Sequence, residues 1–80
     1  MKYTVENIYN EVYRQMCHYY EEGSNRIIEM VIDDFNDWIC ADFDLVKLAL
    51  QAMYDFSNKY DIEIPTTTYN QMKAYNINFK

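Results

Sequence analysis

Apolar residues recur along this chain at the 3.6-residue spacing of helices, in three long runs and one brief one. In the first run Val5, Ile8, Tyr9, Val12, Met16, Tyr19 and Tyr20 fall within about one third of the helical circumference, and Glu6, Asn7, Asn10, Glu11, Arg14, Gln15, His18, Glu21 and Glu22 fill the other side. Thr4 is placed to cap this helix, with Glu6 in the first turn where the positive end of the dipole favours an acid. Gly23 can take the left-handed conformation that ends it.

Ser24 offers the next cap, and Ile27, Ile28, Val31, Ile32, Phe35, Trp38 and Ile39 give a second stripe through to about Ala41. The short turn between these two helices makes them antiparallel neighbours. Asp42 or Asp44 then caps a third helix running to Tyr60. There Leu45, Val46, Leu48, Ala49, Leu50, Ala52, Met53, Phe56 and Tyr60 cover more than half of the circumference, leaving a strip of Lys47, Gln51, Tyr54, Asp55 and Asn58. A helix so apolar must be covered on several sides, so it is the expected centre of the fold.

The pattern breaks after Tyr60. Residues 61–64 alternate polar and apolar, and Pro65 holds Ile64 in extended backbone. Thr68 with Gln71 matches a capping box, which predicts a short helix to about Tyr75 that buries Met72 and Tyr69. The tail alternates again, so residues 76–79 offer a partner for 61–64 in a minor two-stranded ribbon. The reading is an all-α bundle of three main helices plus a short C-terminal one, forming a single domain over residues 1–80.

Composition supports that architecture. With one Gly and one Pro, the chain has little loop-forming vocabulary. Eighty residues are close to the lower limit for a self-supporting core. The two cysteines, Cys17 and Cys40, have neither zinc spacing nor the number for a disulfide framework, which points to a reducing compartment. No leader or membrane span is legible, so the expected location is the cytoplasm of a host cell. Asn, Ile, Tyr and Lys, the residues of AT-rich codons, far outnumber Gly, Pro, Ala and Arg. That usage suits an AT-rich bacterial genome, or a phage or mobile element living in one.

Charge is distributed unevenly. Residues 1–44 hold ten acids against three bases, whereas residues 45–80 hold three acids and four bases. The window 27–46 has six acids, Glu29, Asp33, Asp34, Asp37, Asp42 and Asp44, and no Lys or Arg. Measured from Ile28, Glu29, Asp33 and Asp37 sit at about 100°, 140° and 180° around the helix, with Asp34 near 240° and Trp38 near 280°. This is an outward acidic ridge with an aromatic edge. Like charges at that spacing repel by roughly a few tenths of a kcal/mol per pair, so the row is not there to stabilise the helix.

Three readings of the ridge follow. It is a solubilising face, or a contact surface for a basic site, or a divalent-metal site at Asp37, Asp42 and Asp44. The run DWICADFD lacks the alternating oxygen ligands and central glycine of a calcium loop, which sets the metal reading aside. Carboxylates a few ångströms apart approximate the phosphates of a nucleic-acid strand, and so suit a Lys/Arg groove built for DNA or RNA. Direct nucleic-acid binding needs the basic patch that this chain lacks.

Catalytic signals are absent from the pattern. His18 is the only histidine and diverges by about 100° from neighbouring Cys17, away from a nucleophile–base geometry. One glycine cannot build a phosphate loop. The sequence therefore predicts a non-enzymatic binding protein without cofactor or metal. Its partner is a host protein with a basic surface, and its sites are Glu29, Asp33, Asp34, Asp37, Trp38, Asp42 and Asp44. The expected role is that of a phage- or mobile-element-type inhibitor, anti-defence or anti-CRISPR-like, which mimics nucleic acid. The alternative is a structural or regulatory helical module that acts through homodimerisation or aromatic-rich docking. The aromatic content of 18% gives that alternative its material.

Overall fold

The computed structural model describes residues 3–39 and 42–79, including all of their side chains except those of residues 36–39. Four helices follow one another: α1 (Ile8–Glu21), α2 (Ile27–Ile39), α3 (Phe43–Tyr60) and α4 (Thr66–Ala74). No strand occurs among the described residues. α3 is the hub and touches α1, α2 and α4, with its widest contact on α1. This is the arrangement its broad apolar surface demands.

The first helix is anchored differently from the expected hydroxyl cap. The Thr4 carbonyl accepts the Ile8 N–H at 2.9 Å, while the Asn7 carboxamide oxygen reaches back to the Thr4 N–H at 2.8 Å. The regular helix thus begins at Ile8, and Val5, left in the preceding turn, is 47% exposed instead of joining the stripe. At the other end Gly23 takes φ +79°, and the Ser24 and Gly23 N–H groups bond the Tyr19 and Tyr20 carbonyls at 3.2 and 3.1 Å. These bonds satisfy carbonyls that the helix leaves open.

α2 starts two residues later than a Ser24 cap implies. The Ser24 hydroxyl accepts the Arg26 N–H at 3.2 Å, and the first bond of the helix runs from the Met30 N–H to the Arg26 carbonyl. For α3 the choice falls on Asp42, whose carboxylate accepts the Asp44 and Leu45 N–H groups at 3.1 and 3.3 Å. Asp44 occupies the first turn. α3 ends at Asp61, left-handed at φ 57°, with the Ile62 N–H bonded to the Ser57 carbonyl at 2.9 Å.

The C-terminal quarter departs most from expectation. α4 begins at Thr66 behind the Pro65 carbonyl, so Thr68 lies inside the helix and is buried instead of capping it. Met72 is fully buried as expected, whereas Tyr69 is exposed. The ribbon between 61–64 and 76–79 does not form. Asn76, at φ 58°, reverses the chain, and the tail lies along α3 with Ile77 buried. The Gln51 side chain serves as the tail's partner. Its carbonyl accepts the Asn78 N–H at 2.7 Å and its amide nitrogen donates to the Asn78 carbonyl at 2.9 Å, the pair of bonds a neighbouring strand would have supplied.

The core joins Ile8, Val12 and Met16 of α1, Ile28, Val31 and Phe35 of α2, Leu50, Met53 and Phe56 of α3, and Met72 and Ile77. Phe56 lies at its centre, met edge-on by Tyr13 and Tyr20 at ring separations of 5.2 and 5.8 Å. Such contacts add to the area term of aromatic burial. No helix among the described residues is long and apolar enough to cross a membrane.

Candidate functional site

α2 buries Ile27, Ile28, Val31 and Phe35, and this fixes the direction of its polar side. Glu29 and Asp33, one turn apart, are both exposed on that side, as their helical angles require. Asp33 has no ion-pair or hydrogen-bond partner among the described residues. Glu29 accepts a bond from the Arg26 guanidinium at 3.3 Å across a well-exposed surface pair, a type worth little in water. The described part of the ridge is thus one lightly paired carboxylate and one without a partner.

Asp34 has another task. Its carboxylate accepts the Tyr19 hydroxyl at 2.5 Å and the Gln15 amide at 3.2 Å, tying α2 to α1. That hydrogen bond raises the Tyr19 phenol pKa above its ordinary value, because losing the proton would set two negative charges side by side. Asp34 remains exposed, so its charge still adds to the field of this side. The helix backbone continues through Asp37 and Trp38, whose side chains lie outside the described residues. Asp42 is engaged as the α3 cap, and Asp44 is exposed beside it, where the helix dipole favours an acid.

The seven sequence-derived positions therefore separate. Glu29 and Asp33 share one exposed strip, Asp34 flanks it as an interhelical tie, and Asp42 and Asp44 belong to the start of α3. Gln15 and Tyr19 were not singled out from the sequence, since their part depends on which way α2 crosses α1. Among the described residues no group of three or more His, Cys, Asp or Glu side chains is placed to hold a metal.

Two concavities open on this part of the molecule, and Glu29 itself lines the first. A cleft of about 190 Å³ sits where the α1–α2 turn meets the α3–α4 connection, lined among others by Tyr20, Arg26, Ile27, Ile28, Ile62 and Glu63. A shallow, open depression of about 520 Å³ on α1 is lined by Arg14, Gln15, Cys17, His18 and Glu21. Within it Cys17 is half-buried, and the His18 imidazole lies 3.1 Å from Glu22, one helical turn onward. This exposed pair follows from helical spacing alone.

A stronger polar link crosses the molecule elsewhere. The Tyr9 hydroxyl donates to Asp55 at 2.5 Å, Asp55 also accepts the Gln51 amide at 3.0 Å, and Gln51 holds the tail at Asn78. Burial, reinforced by the bond to Asp55, pushes the Tyr9 phenol pKa well above its ordinary value. This chain of bonds fixes α1, α3 and the tail to one another.

Comparisons of the chain with protein-family models, curated proteins and solved structures give no match.

Proposed function

We propose that this chain acts by binding and not by chemistry, and that the acidic side of α2 occupies a basic nucleic-acid-binding site on a host protein. The observation that carries this reading is the outward pair Glu29 and Asp33, set in a window of six acids without Lys or Arg. Along α2 the steps from Glu29 to Asp33 and Asp37 advance about 6 Å each. Negative charge repeated at that interval approximates the backbone of a nucleic-acid strand and suits a groove that binds phosphate. Asp34, and Asp42 and Asp44 at the next helix start, add to the negative field that draws a basic partner in.

An inhibitor of a defence nuclease or of a transcription component, carried by a phage or mobile element, is the class this reading implies. The chain's small size, its bias toward the amino acids of AT-rich codons and its charge bias support it. The test replaces Glu29, Asp33 and Asp37 together by Asn, and compares parent and variant in affinity capture from an AT-rich bacterial lysate at low and high salt. The parent is expected to retain a nucleic-acid-binding protein at low salt, lose it at high salt, and compete with that protein's DNA or RNA. The triple variant should retain none of it while keeping its helical circular dichroism. Equal retention by parent and variant would remove the proposal.

A further inference from the structure

The side of the molecule built from α3, α4 and the tail bears aromatic rings at its surface. Phe79 is held between Tyr54 and Tyr69, at ring separations of 5.1 and 5.4 Å, and Phe43 meets Tyr75 in a tilted contact at 4.8 Å. Three of these rings remain open to solvent, Phe43 by 58%, Tyr69 by 41% and Phe79 by 37%. Phe43 and Tyr54 lie within about 20° of one another around α3 and about 16 Å apart along it, so the rings share one face. The tail that delivers Phe79 is pinned through its backbone by Gln51 and through Ile77 in the core. Its placement is therefore fixed, and what it fixes is a phenyl ring at the surface between two tyrosines.

We propose that this face is the contact through which two copies of the chain form a symmetric dimer. Charge selects the second copy as occupant. A molecule of net charge −6 repels itself, yet the charged residues on this face, Asp44, Lys47 and Lys73, sum to a net +1. Joined here, two copies leave the acids of α1 and α2 outside the contact. The face also carries both signs, as a two-fold contact requires. Lys73 lies over the Tyr69 ring at 5.6 Å, Lys47 shares the α3 strip with Tyr54, and Asp44 adjoins Phe43. A standard interface hides roughly 800 Å² per partner, about 15% of the 5293 Å² that this chain exposes. Closing the face would also give an 80-residue core the support that its size makes scarce. The acidic strip of α2 is not used, so the dimer stands or falls independently of the function proposed above.

The test is sedimentation of the full chain from low micromolar to millimolar concentration. The parent is expected to pass reversibly from monomer to dimer with little response to salt, because apolar contacts are not screened. Tyr69→Ser removes an exposed ring and leaves the core intact, and it should weaken the dimer about 10- to 30-fold. Gln51→Ala, which frees the tail and so the position of Phe79, should weaken it as well, with helical circular dichroism retained in both variants. Tyr20→Ser, whose exposed ring meets Phe56 and Tyr60 on another side of α3, should leave it unchanged. A chain that stays monomeric at millimolar concentration overturns the proposal. So does a dimer that persists in Tyr69→Ser, dissolves in salt, or is lost equally in Tyr20→Ser.

Discussion

Ser57 is 2% exposed on the inner side of α3, and its hydroxyl has no hydrogen-bond partner among the described residues. A buried polar group stripped of water and left unpaired costs about 1–3 kcal/mol. Ser57→Ala is therefore expected to stabilise the fold by about 1 kcal/mol, a rise of roughly 4–8 °C in the melting temperature of a chain this size. A lower melting temperature would mean that the hydroxyl is bonded after all. Tyr9 shows the opposite condition, a half-buried polar group that is paired. Its phenol pKa is raised by burial and by the bond to Asp55, so the folded chain keeps a proton that the unfolded chain releases near its ordinary value of 10. The stabilisation is complete below about pH 10 and is lost as pH climbs through the folded value. Denaturant midpoints should accordingly fall above pH 10 in the parent and fall less in Tyr9→Phe. A parallel decline in the two proteins would disprove the coupling. Tyr19, raised by its bond to Asp34, adds to the decline in both.

At the scale of elements, each helix end is settled by a few local bonds, and these set how far the apolar stripes extend. Asp42 satisfies two N–H groups at the head of α3, the helix on which every other helix rests. Removing a side-chain cap costs about 0.5–2 kcal/mol, and Asp42→Ala should fall within that range in chemical denaturation. Asp42→Ser, which keeps an acceptor, should recover most of the loss. At the C-termini the chain uses its one glycine after α1 and places Asp61 and Asn76 in the left-handed conformation after α3 and α4. Asn and Asp accept that conformation more readily than other side chains because they bond locally. The stripes of all three long helices were legible because periodicity is a property of neighbours in sequence. The start of α4 was not, since Thr66, Thr67 and Thr68 are equivalent as caps until packing buries one of them. The ribbon failed for a related reason: Gln51, far away in sequence, supplies the bonds that a second strand would have made.

For the whole molecule the governing quantity is the separation of charge, with ten acids and three bases in residues 1–44 and near-balance beyond. Repulsion along α2 costs stability in return for a surface field. The Glu29, Asp33 and Asp37 triple Asn variant is therefore expected to melt no lower than the parent at high salt, and slightly higher, by a few tenths of a kcal/mol per relieved pair, at low salt. Thermal melts across ionic strength check this, and a variant markedly less stable than the parent would assign those acids to the fold. Placing the acids on the α2 side and aromatic rings on the α3–α4 side gives the molecule two unlike surfaces. The first is the surface proposed for a basic partner and the second the one proposed for a second copy.

The sequence by itself determined the number of long helices, most of the residues that face inward, though not Val5, Tyr20, Tyr60 or Tyr69, the central place of α3 and the imbalance of charge, because each of these follows from spacing along one chain. Tertiary structure alone decided which acids remain outward and which are engaged. Asp33 has no partner among the described residues, and Asp34 is joined to Tyr19 and Gln15 across the α1–α2 contact. It also decided that the tail would lie along α3 and carry Phe79 to the surface. These outcomes depend on bonds between groups distant in sequence, whose meeting is set by how helices cross and not by the period of any one of them.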